Sequence, residues 1–224
     1  KDIANGVEKK IKVKKYVDLS WDLNADSPIY PGDPEPSVTV ATTLENEGYN
    51  LFTVVVGTQT GTHVDAPYHF RNDGARINEM ELDFFFGPAV VIRVTNKKAE
   101  EEIVMADVMP YEAKIKPGTI VLFNTNWYKK RGTDEFFTHP YVSGEVAHWL
   151  VEKGVRFVCS DTINVDRTGG TEFPVHDLFA DKRLMIGENW AYFDKIDFED
   201  NLYVAAFPLK ITGGDGSPVR AIAM

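Results

Sequence analysis

Between Gln59 and Phe70 the chain reads Gln-Thr-Gly-Thr-His-Val-Asp-Ala-Pro-Tyr-His-Phe, placing His63, Asp65 and His69 within seven residues. On an extended strand, residues two apart share a side. His63 and Asp65 then project together, with Gln59 and Gly61 beside them. An imidazole nitrogen next to a carboxylate oxygen suits a divalent ion such as Zn or Mn. Gly61 lets a backbone or ligand come close, and Pro67 breaks the strand and turns the chain. Beyond that turn, His69 could stand beside the metal as a general base without binding it. Taken singly, a histidine is as readily a satisfied core or surface residue. The clustering of three such groups between glycine and proline is what points to a site.

The elements around this stretch must hold it in place. Residues 38–43 and 51–57 are rich in β-branched side chains and are separated by Glu45-Asn46-Glu47-Gly48, a hairpin signal leading straight into the motif. Upstream, residues 16–20 read as a short strand. Pro28, Pro31, Gly32, Pro34 and Pro36 then enforce a loop, from which Tyr30 and Asp33 could reach a pocket. Downstream, residues 88–94, 119–124 and 155–160 read as buried strands. Residues 100–109 read as a short helix stopped by Pro110, and residues 125–142 as a long loop carrying Trp127 and His139. The clearest helix spans 143–153, with Ser143 as N-cap and Gly154 as terminator. Asp161, Asn164 and Asp166 follow a buried strand, where polar groups serve either a site or a cap. Strands are expected again at 183–187, 202–211 and 219–223. Strands dominate, so the expected class is a mixed, strand-rich α/β fold: a single domain over 16–224 preceded by an N-terminal arm over 1–15.

The stretch from Thr60 to Phe70 closely resembles the HxGTHxDxPxH signature of the metal-dependent cyclase family, which includes kynurenine formamidases and isatin hydrolases. Asp18-Leu19-Ser20, Tyr30-Pro31-Gly32-Asp33-Pro34, Gly87-Pro88-Ala89-Val90-Val91, the segment from Asp161 to Asp166, and Gly213-Gly214-Asp215-Gly216-Ser217-Pro218-Val219-Arg220 also look like family landmarks. The resemblance implies a compact β/β/α domain. It also implies that His176 and Glu188, twelve residues apart, complete a second metal position bridged by Asp65, and that His69 is the acid/base. Alone, His176 and Glu188 read as surface residues. One position departs from the signature: its first histidine, a metal ligand in the formamidases, is Gln59 here. An amide oxygen is a weaker, harder donor than an imidazole nitrogen. A position held by Gln59, His63 and Asp65 is therefore expected to be weakened, giving one or two ions per chain and unequal filling.

Composition bounds the rest. The 224 residues carry a net charge of -10, with 43% hydrophobic and 26% charged residues, ordinary for a globular chain. That charge argues against a nucleic-acid partner, the short basic run over residues 9–15 notwithstanding. A single cysteine, Cys159, excludes an internal disulfide and sits in an apolar run, as filler. No apolar run approaches the ~20 residues of a membrane helix and no signal peptide is visible, so no membrane partner and a cytoplasmic location are the default expectations. Phe84-Phe85-Phe86 puts three aromatics in a row, which one face cannot bury, so a homodimer or higher homo-oligomer is expected.

The expected function is hydrolysis of a small amide, either an aryl formamide, a cyclic amide or a related carbonyl compound. The metal would lower the pKa of bound water and polarise the carbonyl, and His69 would carry the proton to the leaving amine. Trp21, Tyr30, Trp127, Phe173 and Trp190 are candidates for a flat apolar pocket, though any of them could be core. The rival reading is a metal-binding relative, non-hydrolytic or a cyclase, whose chemistry changed with Gln59.

Overall fold

The computed structural model describes residue 13 and residues 15–224, so most of the arm expected over 1–15 lies outside the described residues. In chain order the strands are β1 (Val17–Asp18), β2 (Ser37–Thr42), β3 (Leu51–Val55), β4 (His63–Asp65), β5 (Phe86–Arg93), β6 (Glu102–Ile103), β7 (Ile120–Asn124), β8 (Tyr141–Val142), β9 (Phe157–Ser160), β10 (Met185–Glu188), β11 (Tyr203–Ala205), β12 (Gly216–Pro218) and β13 (Ile222–Ala223). The helices are α1 (Leu44–Glu47), α2 (Met105–Val108), α3 (Gly144–Glu152) and α4 (Pro174–Asp181).

Nine strands form one sheet in the order β1-β13-β11-β5-β7-β9-β10-β4-β12. Its centre, β5-β7-β9-β10, is parallel. These are the strands whose sequences are apolar without alternation, because both faces are covered; every residue of β7 and β9 is buried. One face packs Val64, Val91, Leu122, Cys159 and Trp190 into a single core. The other packs Val90, Val121, Phe123, Val158 and Ile186 against Val146 and Leu150 of α3 and Val175 and Phe179 of α4. Short antiparallel strands flank this centre, and β4 lies between β10 and β12. The expected mixed, strand-rich α/β architecture forms.

Several local expectations are corrected. Residues 100–109 hold β6 and the one-turn α2, which runs on through Pro110 in a 3-10 helix over Met109–Lys114; proline fits there because the first turn of a helix needs no amide hydrogen. The strand expected over 202–211 is only β11, with Phe207 and Leu209 exposed beyond it. The loop 125–142 is organised by short 3-10 turns and ends in β8. α4 was not expected. Its N-cap position is Phe173, which offers no cap; the acceptor comes from Asp166, whose carboxylate takes the amides of Val175 and His176 at 3.0 Å each. A cap supplied from elsewhere in the chain leaves no local signal.

The aromatic triplet does not form an exposed patch. Phe85 is fully buried, Phe84 packs on the same core, and Phe86 stacks on Tyr203 at 5.6 Å. Exposed apolar surface lies instead on the β2-β3 hairpin, where Val40 faces Phe52 and Val38 faces Val54. Val40, Phe52 and Val54 are each more than half exposed. Among the described residues no helix is long and apolar enough to cross a membrane.

Candidate active site and metal centre

The site forms where β4 pairs with β10. His63 lies opposite Glu188 and Asp65 opposite Ile186, so the alternating side chains of both strands share the face that carries α4. His176 enters from the first turn of α4. His63 Nε2 stands 3.4 Å from Asp65 Oδ1 and 3.5 Å from Glu188 Oε2. His176 Nε2 stands 3.5 Å from Asp65 Oδ2 and 3.3 Å from Glu188 Oε1. Four residues from three elements thus converge, all of them buried.

Each imidazole is aimed by a bond at its far nitrogen. His63 Nδ1 is 2.7 Å from the Gly61 carbonyl, and His176 Nδ1 is 2.7 Å from Asp166 Oδ2. Both acceptors call for Nδ1–H, which leaves each Nε2 with a lone pair for the centre. Gly61 can present its carbonyl this way because it sits at φ +64°, a region glycine enters without cost. The backbone of His63 is held in turn by Trp190 Nε1, which donates to its carbonyl at 2.9 Å. Glu188 Oε1 accepts the Val165 amide at 2.7 Å.

Asp65 differs from its neighbours. Both of its carboxylate oxygens are buried, yet neither has a hydrogen-bond partner. A bare buried carboxylate is costly and calls for a cation. The electrostatics agree. Burial alone would favour neutral imidazoles, but Glu188 and Asp65 raise the pKa of His63, and Glu188, Asp166 and Asp65 raise that of His176 well above its ordinary value. Burial likewise penalises the Glu188 carboxylate, and the two histidines more than offset this, holding its pKa below the usual range. The pocket therefore attracts positive charge, which arrives either as protons on imidazoles or as a cation in their place. Ligand atoms of His63, Asp65 and Glu188 lie within 4.8 Å of one another, as do those of Asp65, His69 and His176. The donor set, two nitrogens and two carboxylates, fits a divalent metal.

His69 follows Pro67 on a 3-10 turn and is bound differently. Its Nδ1 lies 2.9 Å from Asp215 Oδ2. Burial opposes its protonation, and the bond to Asp215 together with the charges of Asp65 and Asp215 raises its pKa. Gln59 joins the same group: its Nε2 donates to Asp215 Oδ2 at 3.0 Å. Gln59, expected beside His63 and Asp65 as a ligand, commits its amide nitrogen to Asp215, while its carbonyl oxygen, the atom a metal would take, is buried without a partner. Neither Asp215 nor Asp166 was assigned a role from sequence. Asp215 stands out in the sequence only as part of the landmark segment 213–220, and Asp166 lies among polar residues that a cap would equally explain.

A cavity of about 230 Å³ opens onto these groups. Tyr30, Phe70, Ile163 and Phe173 form its apolar wall, with Asp33 and Gln59 among its polar groups. Tyr30 is fixed by its hydroxyl, which accepts the Gly169 amide at 3.0 Å. Burial raises the Asp33 pKa. Trp21 and Trp127 do not line this cavity. Trp127 packs with Phe136 and Ile163 and donates to the Glu135 carbonyl, and Trp21 packs against Tyr128 and Tyr192. His139 bonds the Pro140 carbonyl and Thr168. Asp161, the other buried acid of the segment, receives the amides of Thr125 and Asn126; burial pushes its carboxyl up to about 6.

A family model described as "Cyclase: Putative cyclase" matches residues 17–167. The kynurenine formamidase of Bacillus mycoides (strain KBAB4) is 32% identical, over 95% of this chain and 98% of its own. An isatin hydrolase solved with the product analogue thioisatinate aligns with a TM-score of 0.86 at 25% identity, covering 93% of this chain and 91% of that one. Isatin hydrolase A from Labrenzia aggregata, solved with benzyl benzoate, gives 0.85 at 25% identity, covering 94% and 93%. The family match spans well over half of the sequence, and on that ground the chain belongs to the cyclase family.

Proposed function

We propose that the protein is a metal-dependent hydrolase of a small aryl amide or cyclic amide, with His63, Asp65, His176 and Glu188 holding the ion. The observation that carries this reading is the buried Asp65 carboxylate, unpartnered and lying between two aimed imidazoles at the edge of an aromatic-walled cavity. A divalent ion held there, Zn or Mn, would supply Lewis acidity, polarising a carbonyl and lowering the pKa of water toward ~7. Tyr30, Phe70 and Phe173 bind the flat ring of the substrate and exclude water from its faces. His69 takes a proton from the attacking water and returns it to the leaving nitrogen. Water thereby adds across the C–N bond, the acyl carbon gaining hydroxyl and the amine gaining hydrogen. With a glutamine in place of the signature's histidine, one ion would be held more tightly than any second.

The relatives are formamidases and isatin hydrolases, which disfavours a purely metal-binding role. The test is turnover of N-formylkynurenine, formanilide and isatin by protein loaded with Zn or with Mn. Hydrolysis of at least one supports the reading, and metal binding without any turnover returns the rival.

Association into homodimers is part of the same proposal. A two-stranded hairpin exposed on both faces is marginal by itself, and the apolar β2-β3 surface would be covered by a second copy. A cytoplasmic location accords with the one cysteine, Cys159, buried and unpaired.

A further inference from the structure

We infer that Gln59 and Asp215 are positioning residues, which fix the His69 imidazole with its Nε2 lone pair toward the cavity. The inference rests on the proposed hydrolase reading for the role of His69, and on the following geometry for the rest.

The Asp215 carboxylate is held by three side-chain donors. Thr58 Oγ1 donates to Oδ1 at 2.7 Å, and Gln59 Nε2 and His69 Nδ1 reach Oδ2 at 3.0 and 2.9 Å. Its backbone carbonyl accepts the Ala66 amide at 2.8 Å, which ties it to the motif strand. These donors hold its pKa below the usual carboxylate range, so it stays an acceptor. An acceptor facing Nδ1 requires the Nδ1–H tautomer, and Nε2 of neutral His69 is then the free base. Gln59 Nε2 also lies 3.4 Å from His69 Nδ1. Both are donors here, so they share Oδ2 rather than bond each other.

The room for the Gln59 amide is itself built. At Gly216, next to Asp215 and paired with Asp65, an added Cβ would stand 2.5 Å from Gln59 Nε2 and 2.6 Å from the Val64 carbonyl. Any side chain there would displace the carboxamide. Gln59 lines the cavity, yet its nitrogen is spent on the partner of the base. Its carbonyl oxygen, the atom of the amide that could meet a cation, is buried without a partner and is left free by this bond.

The test has two arms. In the first, histidine is ¹⁵N-labelled in metal-free protein at alkaline pH, with His69 assigned by its loss in His69→Ala. The Nδ1–H tautomer is expected in the natural protein and a mixture of tautomers in Gln59→Ala and Asp215→Asn. An Nε2–H tautomer, or no change in either variant, overturns the inference whether or not a substrate has been found. The second arm reads metal content and kinetics together. Gln59→Ala, compared at equal metal content, should lose kcat on the order of 10- to 100-fold at little-changed KM. Asp215→Asn should add no loss in a His69→Ala background, because it acts through that ring. An unchanged kcat in Gln59→Ala, or additive losses in the double variant, overturns the inference. Absence of turnover by the natural protein counts against the hydrolase reading instead, and leaves the tautomer arm standing.

Discussion

His63 and Glu188 are register partners across the antiparallel β4-β10 pair, 125 residues apart in sequence, and His63 Nε2 meets Glu188 Oε2 at 3.5 Å. Strand pairing, rather than a loop, sets their spacing. The neighbouring Gly187 leaves no room for adjustment: a Cβ there would come 2.9 Å from Trp190 Nε1 and 3.1 Å from Cys159 Sγ. The site is thus built on rigid elements, as a centre with defined ligand geometry requires.

Asp166 should matter to both stability and metal. It caps α4 and aims His176. Asp166→Ala is expected to destabilise the fold by roughly 1–2 kcal/mol through the lost cap, and to weaken metal binding about 10- to 100-fold through the freed imidazole. Thermal denaturation and metal titration measure the two effects. Unchanged metal affinity in a folded variant would show that His176 does not need its partner.

The pH dependence has a definite sign. His63, His69 and His176 have folded pKa values above their ordinary 6.5. Their contribution to stability is full below 6.5 and is lost as pH rises through the raised values. Glu188 is depressed from 4.5, so its contribution is present above 4.5 and is lost as pH falls through the lower folded value. Metal-free protein should therefore lose stability as pH rises above 6.5 through the raised folded values. Bound metal replaces those protons, so the gain in Tm on adding Mn should grow over the same range. A gain that shrinks with rising pH would contradict proton competition at these histidines.

His69→Ala should keep its metal and lose turnover by about 10²-fold or more, as expected when a general base is deleted. Loss of metal along with activity would make His69 a ligand, an arrangement its closeness to Asp65 and His176 permits.

The hairpin should hold two copies together. Light scattering is expected to give a dimer mass for the natural protein and a monomer mass for the Val40→Lys/Phe52→Lys variant, since each lysine charges the exposed apolar face. A monomer mass for the natural protein across micromolar concentrations would remove the argument.

The site was legible in the sequence to the extent that it is local. His63 and Asp65 two apart on a strand, Pro67 as the turn and His69 beyond it follow from backbone periodicity and proline chemistry. Residues brought in by distant pairing were not legible that way. His176 and Glu188 were singled out only through a family resemblance, since nothing in their neighbours fixes the β4-β10 register or the existence of α4. The contacts of Gln59 and Asp215 escaped for the same reason: their partners lie some 150 residues away, and a glycine at 216 makes the space they share. In the fold, the buried parallel strands read well from their unbroken apolar runs. The one-turn α1 and the two-residue β6 and β8 did not, because tertiary contacts rather than propensity define them.

The most direct measurement is metal content per chain, by elemental analysis after dialysis, for the natural protein and for Asp65→Asn shown to be folded by circular dichroism. The natural protein is expected to retain at least about one divalent ion and Asp65→Asn none, because the asparagine keeps the shape and removes the charge between the two imidazoles. A folded Asp65→Asn protein with its full complement of metal would contradict the account.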